Sequence, residues 1–378
     1  MGVIQDSLCL PEAKPLPMAN CKKKRLIVVL GMHRSGTSVI TRGLKVMGVE
    51  LGDTLMPAIV GVNDKGFWED LDLFALNNEL LSLVGSDWHH LAPIEPADVE
   101  ILRKNGSFDK AGALLHRKLD KKTIFGFKDP RVAKLFRFWK EVFIHCQLDT
   151  SCVLAVRHPL SIVMSLNKRD GFDPEKSYFL WLGHVIESLA GSTGFRRVLV
   201  DYDSLMQSPE VEINRVAREL DLEIDEAELQ SYRSQFLDEA LRHTIYELKD
   251  LSVDDTCPPL VREIYTSLRD VACDKISLDD PMMQNKIAQW VDEFERLKPI
   301  LRLVDHLSAE NAPAIGDLNE QISDLNQAVL ERDARITCLN QAVAGYARII
   351  NEMRDSRSWR ITRPLRVIAS VLWSGHAK

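Results

Sequence analysis

No apolar stretch of this 378-residue chain reaches the roughly 18–20 residues a membrane-crossing helix needs. The runs at 26–30 and 367–373 fall far short. The opening residues lack a secretory pattern, because Asp6, Pro11, Glu12 and Lys14 interrupt the apolar positions before Cys21. Met1-Gly2 is not followed by the myristoylation pattern, since position 6 is Asp6. The cysteines (Cys9, Cys21, Cys146, Cys152, Cys257, Cys273 and Cys338) are odd in number, scattered, and form no CxxC. That excludes a disulfide framework and a zinc site of familiar spacing, and fits a reducing compartment. An excess of basic charge is also missing: 48 Lys and Arg stand against 55 Asp and Glu, a net charge of −7. A strongly basic nucleic-acid binder is excluded, although a local basic patch is not. The expectation is a cytoplasmic protein. With 45% hydrophobic and 27% charged residues, a core is available and wholesale disorder is excluded.

Residues 1–24 read as a flexible leader: they carry Pro11, Pro15 and Pro17, show no period, and end in Lys22-Lys23-Lys24. At Leu26-Ile27-Val28-Val29-Leu30 a continuous apolar run with β-branched residues predicts a strand buried on both faces. Similar runs at 123–127, 152–156 and 198–200 alternate with helical patterns at 71–83 and 211–220. Such alternation predicts an α/β domain with a three-layer parallel sheet over residues 25–225. Residues 226–312 read as a helical extension packed on it, with Trp290, Phe294, Leu297, Ile300 and Leu301 on one face, ending at Asn311-Ala312-Pro313.

A heptad follows over 313–353. Leu318, Ile322, Leu325, Val329, Arg332, Ile336, Leu339, Val343, Tyr346, Ile350 and Met353 alternate spacings of four and three. All but Arg332 are apolar, which predicts a coiled coil joining this chain to a copy of itself or to another protein. Arg332 costs stability on the seam and bears on register or oligomer state. Residues 354–378 form a basic amphipathic tail. Arg354, Arg357, Arg360, Arg363, Arg366 and Lys378 stand against Asp355, with Trp359, Ile361, Leu365, Val367, Ile368, Leu372 and Trp373 interleaved. That mixture suits an anionic surface, or a tail folded onto its own protein.

Directly after the first run stands Gly31-Met32-His33-Arg34-Ser35-Gly36-Thr37-Ser38. Two glycines five apart, with hydroxyls after the second and a helical pattern beyond, have the frame of a phosphate-cradling loop. Glycine lets backbone N–H groups turn inward, and a helix N-terminus adds partial positive charge. The nucleoside-triphosphate version has lysine after the second glycine; here that place is Thr37. The cation lies inside the loop instead, as Arg34, which can give a phosphate or sulfate two parallel hydrogen bonds.

These residues resemble the bacterial branch of the sulfotransferase family. The resemblance implies a P-loop nucleoside-triphosphate-hydrolase-like fold. It also implies that Arg34, Ser35, Gly36, Thr37 and Ser38 hold the 5′-phosphosulfate of 3′-phosphoadenosine 5′-phosphosulfate. A second match is Val153-Leu154-Ala155-Val156-Arg157-His158-Pro159, with Ser165 eight residues beyond Arg157. The family uses an Arg and a Ser so separated on the 3′-phosphate. Phe125-Gly126-Phe127-Lys128-Asp129-Pro130-Arg131 and Val198-Leu199-Val200-Asp201-Tyr202-Asp203-Ser204-Leu205 also resemble the family. The resemblance spans about residues 25–225.

Sulfuryl transfer needs an activated nucleophile, an in-line path to sulfur, and stabilised charge on the departing phosphate. Arg34 and Lys128 are the expected charge stabilisers; Lys128 could instead be tied up with Asp129 or another acid. Glu69, in Asn63-Asp64-Lys65-Gly66-Phe67-Trp68-Glu69, is the expected base, as in family branches with a glutamate some thirty residues after the loop. Asp129 is the reserve. A histidine two residues after the matching lysine serves another branch, but that place is Pro130 here. His33 could contact phosphate, and His89 and His90 could line the acceptor cleft. No metal is expected. The sequence thus reads as a sulfotransferase, with a P-loop kinase or hydrolase, or a non-catalytic coiled-coil adaptor, as alternatives. Ser358-Trp359-Arg360-Ile361-Thr362-Arg363-Pro364-Leu365-Arg366 resembles tails of bacterial cell-surface polysaccharide enzymes. A glycan or lipid-linked saccharide acceptor, handled at the inner membrane face, is the corresponding expectation.

Overall fold

The structure is a computed structural model that describes residues 24–59, 65–237 and 246–374. The expected leader, apart from Lys24, and Asn63-Asp64 of the Glu69 motif lie outside the described residues. The chain divides into two units, one ending at Asp305 and the other beginning at His306.

In the first unit the apolar runs become four parallel strands: β1 (Arg25–Leu30), β2 (Ile124–Lys128), β3 (Asp149–Val156) and β4 (Arg196–Asp201). Their order is β2-β1-β3-β4. Val29 pairs with Lys128 on one side and Val153 on the other, and Val156 pairs with Asp201. Alternate residues of a strand face opposite ways. Leu26, Val28 and Leu30 therefore join one buried cluster, and Ile27 and Val29 the other.

Helices cover both faces, completing three layers. Thr37–Leu44 (α1) puts Ile40 and Leu44 on the Ile27 face. The opposite face takes Leu73, Leu76 and Leu80 of Leu71–Leu83 (α2), whose Asp70 caps the N–H groups of Asp72 and Leu73. Pro96–Lys104 (α3), Ser107–Lys118 (α4), Arg131–Lys134 (α5) and Phe136–His145 (α6) add to that layer, with Trp139 fully buried. Pro159–Asp170 (α7) and Pro174–Gly191 (α8) follow β3. After β4, Tyr202–Gln207 (α9) leads to Pro209–Leu220 (α10), which packs Ile213, Val216 and Leu220 beside α1 residues.

The extension is helical, as expected. Glu226–Ser231 (α11), a π turn at Tyr232–Phe236, Leu248–Val253 (α12) and Pro259–Ala272 (α13) precede a long helix, Pro281–Asp355 (α14). Trp290, Phe294 and Leu301 are buried in the first cluster, whereas Ile300 is exposed. One expectation fails here: the pattern does not end at Asn311-Ala312-Pro313, because α14 runs through Pro313. A proline removes a single intrahelical bond, and on an exposed face water can take the freed carbonyl.

In the second unit α14 ends at Asp355, and Ser356 caps a new helix by accepting from the Trp359 N–H. Arg357–Ile361 (α15) and Arg363–Ser374 (α16) form the tail.

Candidate anion-binding and transfer site

The strand order places a topological switch between β1 and β3, since the chain leaves β1 for β2 on one side and returns to β3 on the other. Ligands of open parallel sheets bind at the carboxyl ends of strands at such a point. Gly31–Gly36 leaves β1 there, Arg157 follows the last residue of β3, and Lys128 ends β2.

Gly36 is required twice over. Its φ is +82°, and an added Cβ would lie 2.1 Å from Tyr202 Cδ2. It also forms the N-cap of α1 with no side-chain cap, leaving that end open to an anion. Arg34 itself is left-handed, with φ +68°, a cost that a non-glycine residue bears where the loop path demands it.

Two arginines and a serine from three separate elements meet beside this loop. Arg34 Nε donates to Ser165 Oγ at 2.8 Å, and Arg157 Nη1 donates to the Arg34 carbonyl at 3.1 Å. The Arg157 guanidinium lies 4.5 Å from the centre of the Tyr202 ring. Its Nε is buried without a hydrogen-bond partner, and Arg157 makes no ion pair among the described residues. Burial, then the neighbouring Arg169 and Arg157, lowers the Arg34 pKa. Positive charge is thus concentrated in one half-buried place, the condition under which a bound anion gains most. Ser35 is buried and bonded to the Met32 carbonyl, so it shapes the loop. Thr37 is buried, and its carbonyl accepts from Thr41 Oγ1 within α1.

A second group adjoins the loop through Ser38, whose hydroxyl donates to the Phe67 carbonyl at 3.0 Å. Lys128 Nζ lies 3.3 Å from that hydroxyl and 2.8 Å from Glu69 Oε1. Both charges are almost fully buried, at 2% and 5% exposure. Burial raises the Glu69 pKa, and the Lys128 ammonium pulls it back. Trp68 faces Phe236 and Arg42. The alternative partner foreseen for Lys128 resolves in favour of Glu69.

Asp129 is held by the Arg131 N–H at 3.0 Å, Arg131 Nη1 at 2.9 Å and Asn77 Nδ2 at 2.9 Å. Asn77 in turn accepts from Trp139 Nε1 at 2.8 Å. With its oxygens so engaged, Asp129 orients Arg131, which also lies 3.9 Å from Glu69 Oε2. His33 stands 4.5 Å from the Trp88 ring; burial and nearby cations lower its pKa well below the usual value, so it is neutral. Trp88 also stacks with Phe172, lies beside His89, and has Arg169 5.2 Å above it. The His90 carbonyl accepts from Lys134 Nζ.

Sequence reasoning missed Tyr202, Arg131 and Arg169 as members of the site. Tyr202 and Arg131 stood inside quoted motifs, one next to the strand-ending Asp201 and the other three residues past the strand-ending Lys128. Arg169 carried no local signal. No group of three or more His, Cys, Asp or Glu that could hold a metal occurs among the described residues.

No family model and no curated protein matches the chain. Solved structures do. The sulfotransferase domain of the Synechococcus PCC 7002 olefin synthase is 17% identical, covering 75% of this chain and 98% of that one, with a TM-score of 0.35. The sulfotransferase domain from the curacin biosynthetic pathway is 14% identical over 71% and 98%, with a TM-score of 0.36. Sulfotransferase STF1 from Mycobacterium tuberculosis H37Rv is 14% identical over 58% and 73%, with a TM-score of 0.35. All three are sulfotransferases or sulfotransferase domains.

Proposed function

We propose that the chain is a sulfotransferase that moves a sulfuryl group from 3′-phosphoadenosine 5′-phosphosulfate to a hydroxyl or amine of an acceptor. The observation that carries this reading is the convergence of Arg34, Arg157 and Ser165 beside the open N-terminus of α1. The orphaned Arg157 Nε supplies an unmet donor for an oxyanion. Arg157 and Ser165 would hold the 3′-phosphate; Arg34 and the loop 35–38 would hold the phosphosulfate.

Glu69 acts as the base. It takes the proton of the acceptor hydroxyl as the acceptor oxygen bonds to sulfur and the bond from sulfur to the phosphate oxygen breaks. Lys128 and Arg34 stabilise the charge left on that phosphate. In the structure Lys128 neutralises Glu69, so the pair enters the reaction poised: the ammonium can turn to the departing phosphate while the carboxylate takes the proton.

A metal-dependent kinase or hydrolase fits less well. Ser38 holds the place of the hydroxyl that binds Mg²⁺ in the triphosphate version, and here an ammonium stands 3.3 Å from it. A cation so close opposes a second one.

The acceptor we propose is a saccharide, free or lipid-linked. The Trp88, Phe172 and His89 rings beside His33 offer an apolar wall of the kind a pyranose face packs on, and the tail suits an anionic membrane surface. Among the described residues no helix is long and apolar enough to cross a membrane, so we propose peripheral contact at the inner face.

The test is a thermal shift. Stabilisation by 3′,5′-adenosine bisphosphate but not by ATP with Mg²⁺ supports the reading. The reverse result supports a kinase, and no response to either supports an adaptor. Labelled-sulfate transfer to cell-envelope glycan fractions tests the acceptor.

A further inference from the structure

The second unit presents a bare apolar stripe on α14. Leu318, Ile322, Leu325, Val329, Ile336, Leu339, Val343, Tyr346, Ile350 and Met353 are each 46–68% exposed. Isolated apolar side chains on a surface need no explanation, but ten in register over about 54 Å of helix do.

The spacing assigns heptad positions. Steps of three run from a to d and steps of four from d to a. Position a is therefore Ile322, Val329, Ile336, Val343 and Ile350, all β-branched; position d is Leu318, Leu325, Arg332, Leu339, Tyr346 and Met353. β-branched a with leucine at d favours two strands in parallel; isoleucine at both positions, or leucine at a with isoleucine at d, favours more.

The polar break in the seam selects the same arrangement. Within the chain, Arg332 and the adjacent Asp333 make no ion pair among the described residues. In a parallel, in-register pair, a d side chain enters a hole bordered by the partner's e position. Position e after Arg332 is Asp333, so each arginine meets the carboxylate of the other copy. Antiparallel pairing places Arg332 in a layer with a β-branched apolar residue instead. Ala328 and Ala342 at g and Ala347 at e are small enough for close approach.

We propose that two copies of this chain associate through residues 318–353 as a parallel, in-register, two-stranded coiled coil, with Arg332 of each paired to Asp333 of the other. This inference does not depend on the transferase reading.

Sedimentation equilibrium of the full chain near 10 µM should give twice the 42.9 kDa chain mass. Ile336→Asp should give the monomer while the near-ultraviolet circular dichroism of the buried tryptophans stays unchanged. Orientation is read by Leu325→Cys and Met353→Cys, each made separately in a Cys338→Ser background. Both should form an interchain disulfide on mild oxidation, above the Cys338→Ser control. An antiparallel pair can bring at most one of these positions against itself. A monomeric or trimeric wild type, or a dimer in which only one or neither thiol links, overturns the proposal.

Discussion

Arg157 meets no carboxylate among the described residues, rests against the Tyr202 ring, and leaves one buried donor unmet. A phosphate there gains charge-assisted bonds that the protein does not otherwise satisfy. Arg157→Ala should weaken 3′,5′-adenosine bisphosphate binding by about 2–3 kcal/mol by calorimetry. Undiminished affinity would take Arg157 out of the nucleotide site. Glu69→Gln should leave that affinity alone and lower turnover at least a hundredfold, the span of a lost general base. The pH profile separates the two partners. Glu69 must be ionised to act, so activity rises as pH passes its raised pKa. Lys128 pulls that pKa down; Lys128→Met should therefore move the acid limb of kcat to higher pH besides lowering its plateau. An acid limb that stays in place would mean that another group sets it. Arg157 and Lys128 stood out in the sequence because each lies at the end of a strand-like run, whereas Glu69, just before the Asp70 cap of α2, was offered only by the family resemblance. Asp129 also stands at a strand end, yet it serves Arg131, and only its three bonds reveal that.

Elements carry a different kind of constraint. Gly36 opens α1 with a positive φ against the Tyr202 ring, so Gly36→Ala should cost about 2–4 kcal/mol in chemical denaturation, from backbone strain and overpacking together. Near-normal stability would mean the loop and ring can move apart. On α8, Glu187 lines a small cavity of about 10 Å³ with His90, Lys134 and His184. Burial raises its pKa from 4.5 to about 7. A carboxyl raised on folding stabilises below its unfolded pKa and loses that contribution as pH climbs through the folded value. Glu187→Gln should therefore raise stability at pH 8 by on the order of 1–2 kcal/mol, allowing for partial solvent access, and change little at pH 4. An equal effect at both pH values would assign the change to packing. The helix at 71–83 was readable to the residue because Asp70 caps it and its apolar spacing is regular. Pro313 misled because a proline stops a helix only when nothing else continues the register, and here α14 carries on through it.

At the scale of the molecule, composition and periodicity conveyed the parallel sheet, the helical layers and the heptad. They could not convey which strands are neighbours. That order makes the loop after β1 and Arg157 after β3 share one crevice, and it is a property of long-range pairing. The chain carries net charge −7, yet Arg357, Arg360, Arg363 and Arg366 fall within α15 and α16, which hold no acidic residue. Trp359 lies under the Arg366 guanidinium at 3.8 Å, and Ile361, Leu365, Val367 and Ile368 are exposed. Basic residues near an anionic membrane contribute about 1 kcal/mol each, an attraction that salt screens. A chain ending at residue 353 should leave anionic vesicles that the full chain binds at low salt, while its response to 3′,5′-adenosine bisphosphate stays unchanged. Raising salt should release the full chain only in part, because the apolar side chains are not screened. If both chains partition alike onto anionic and neutral vesicles, the tail has no part in membrane contact.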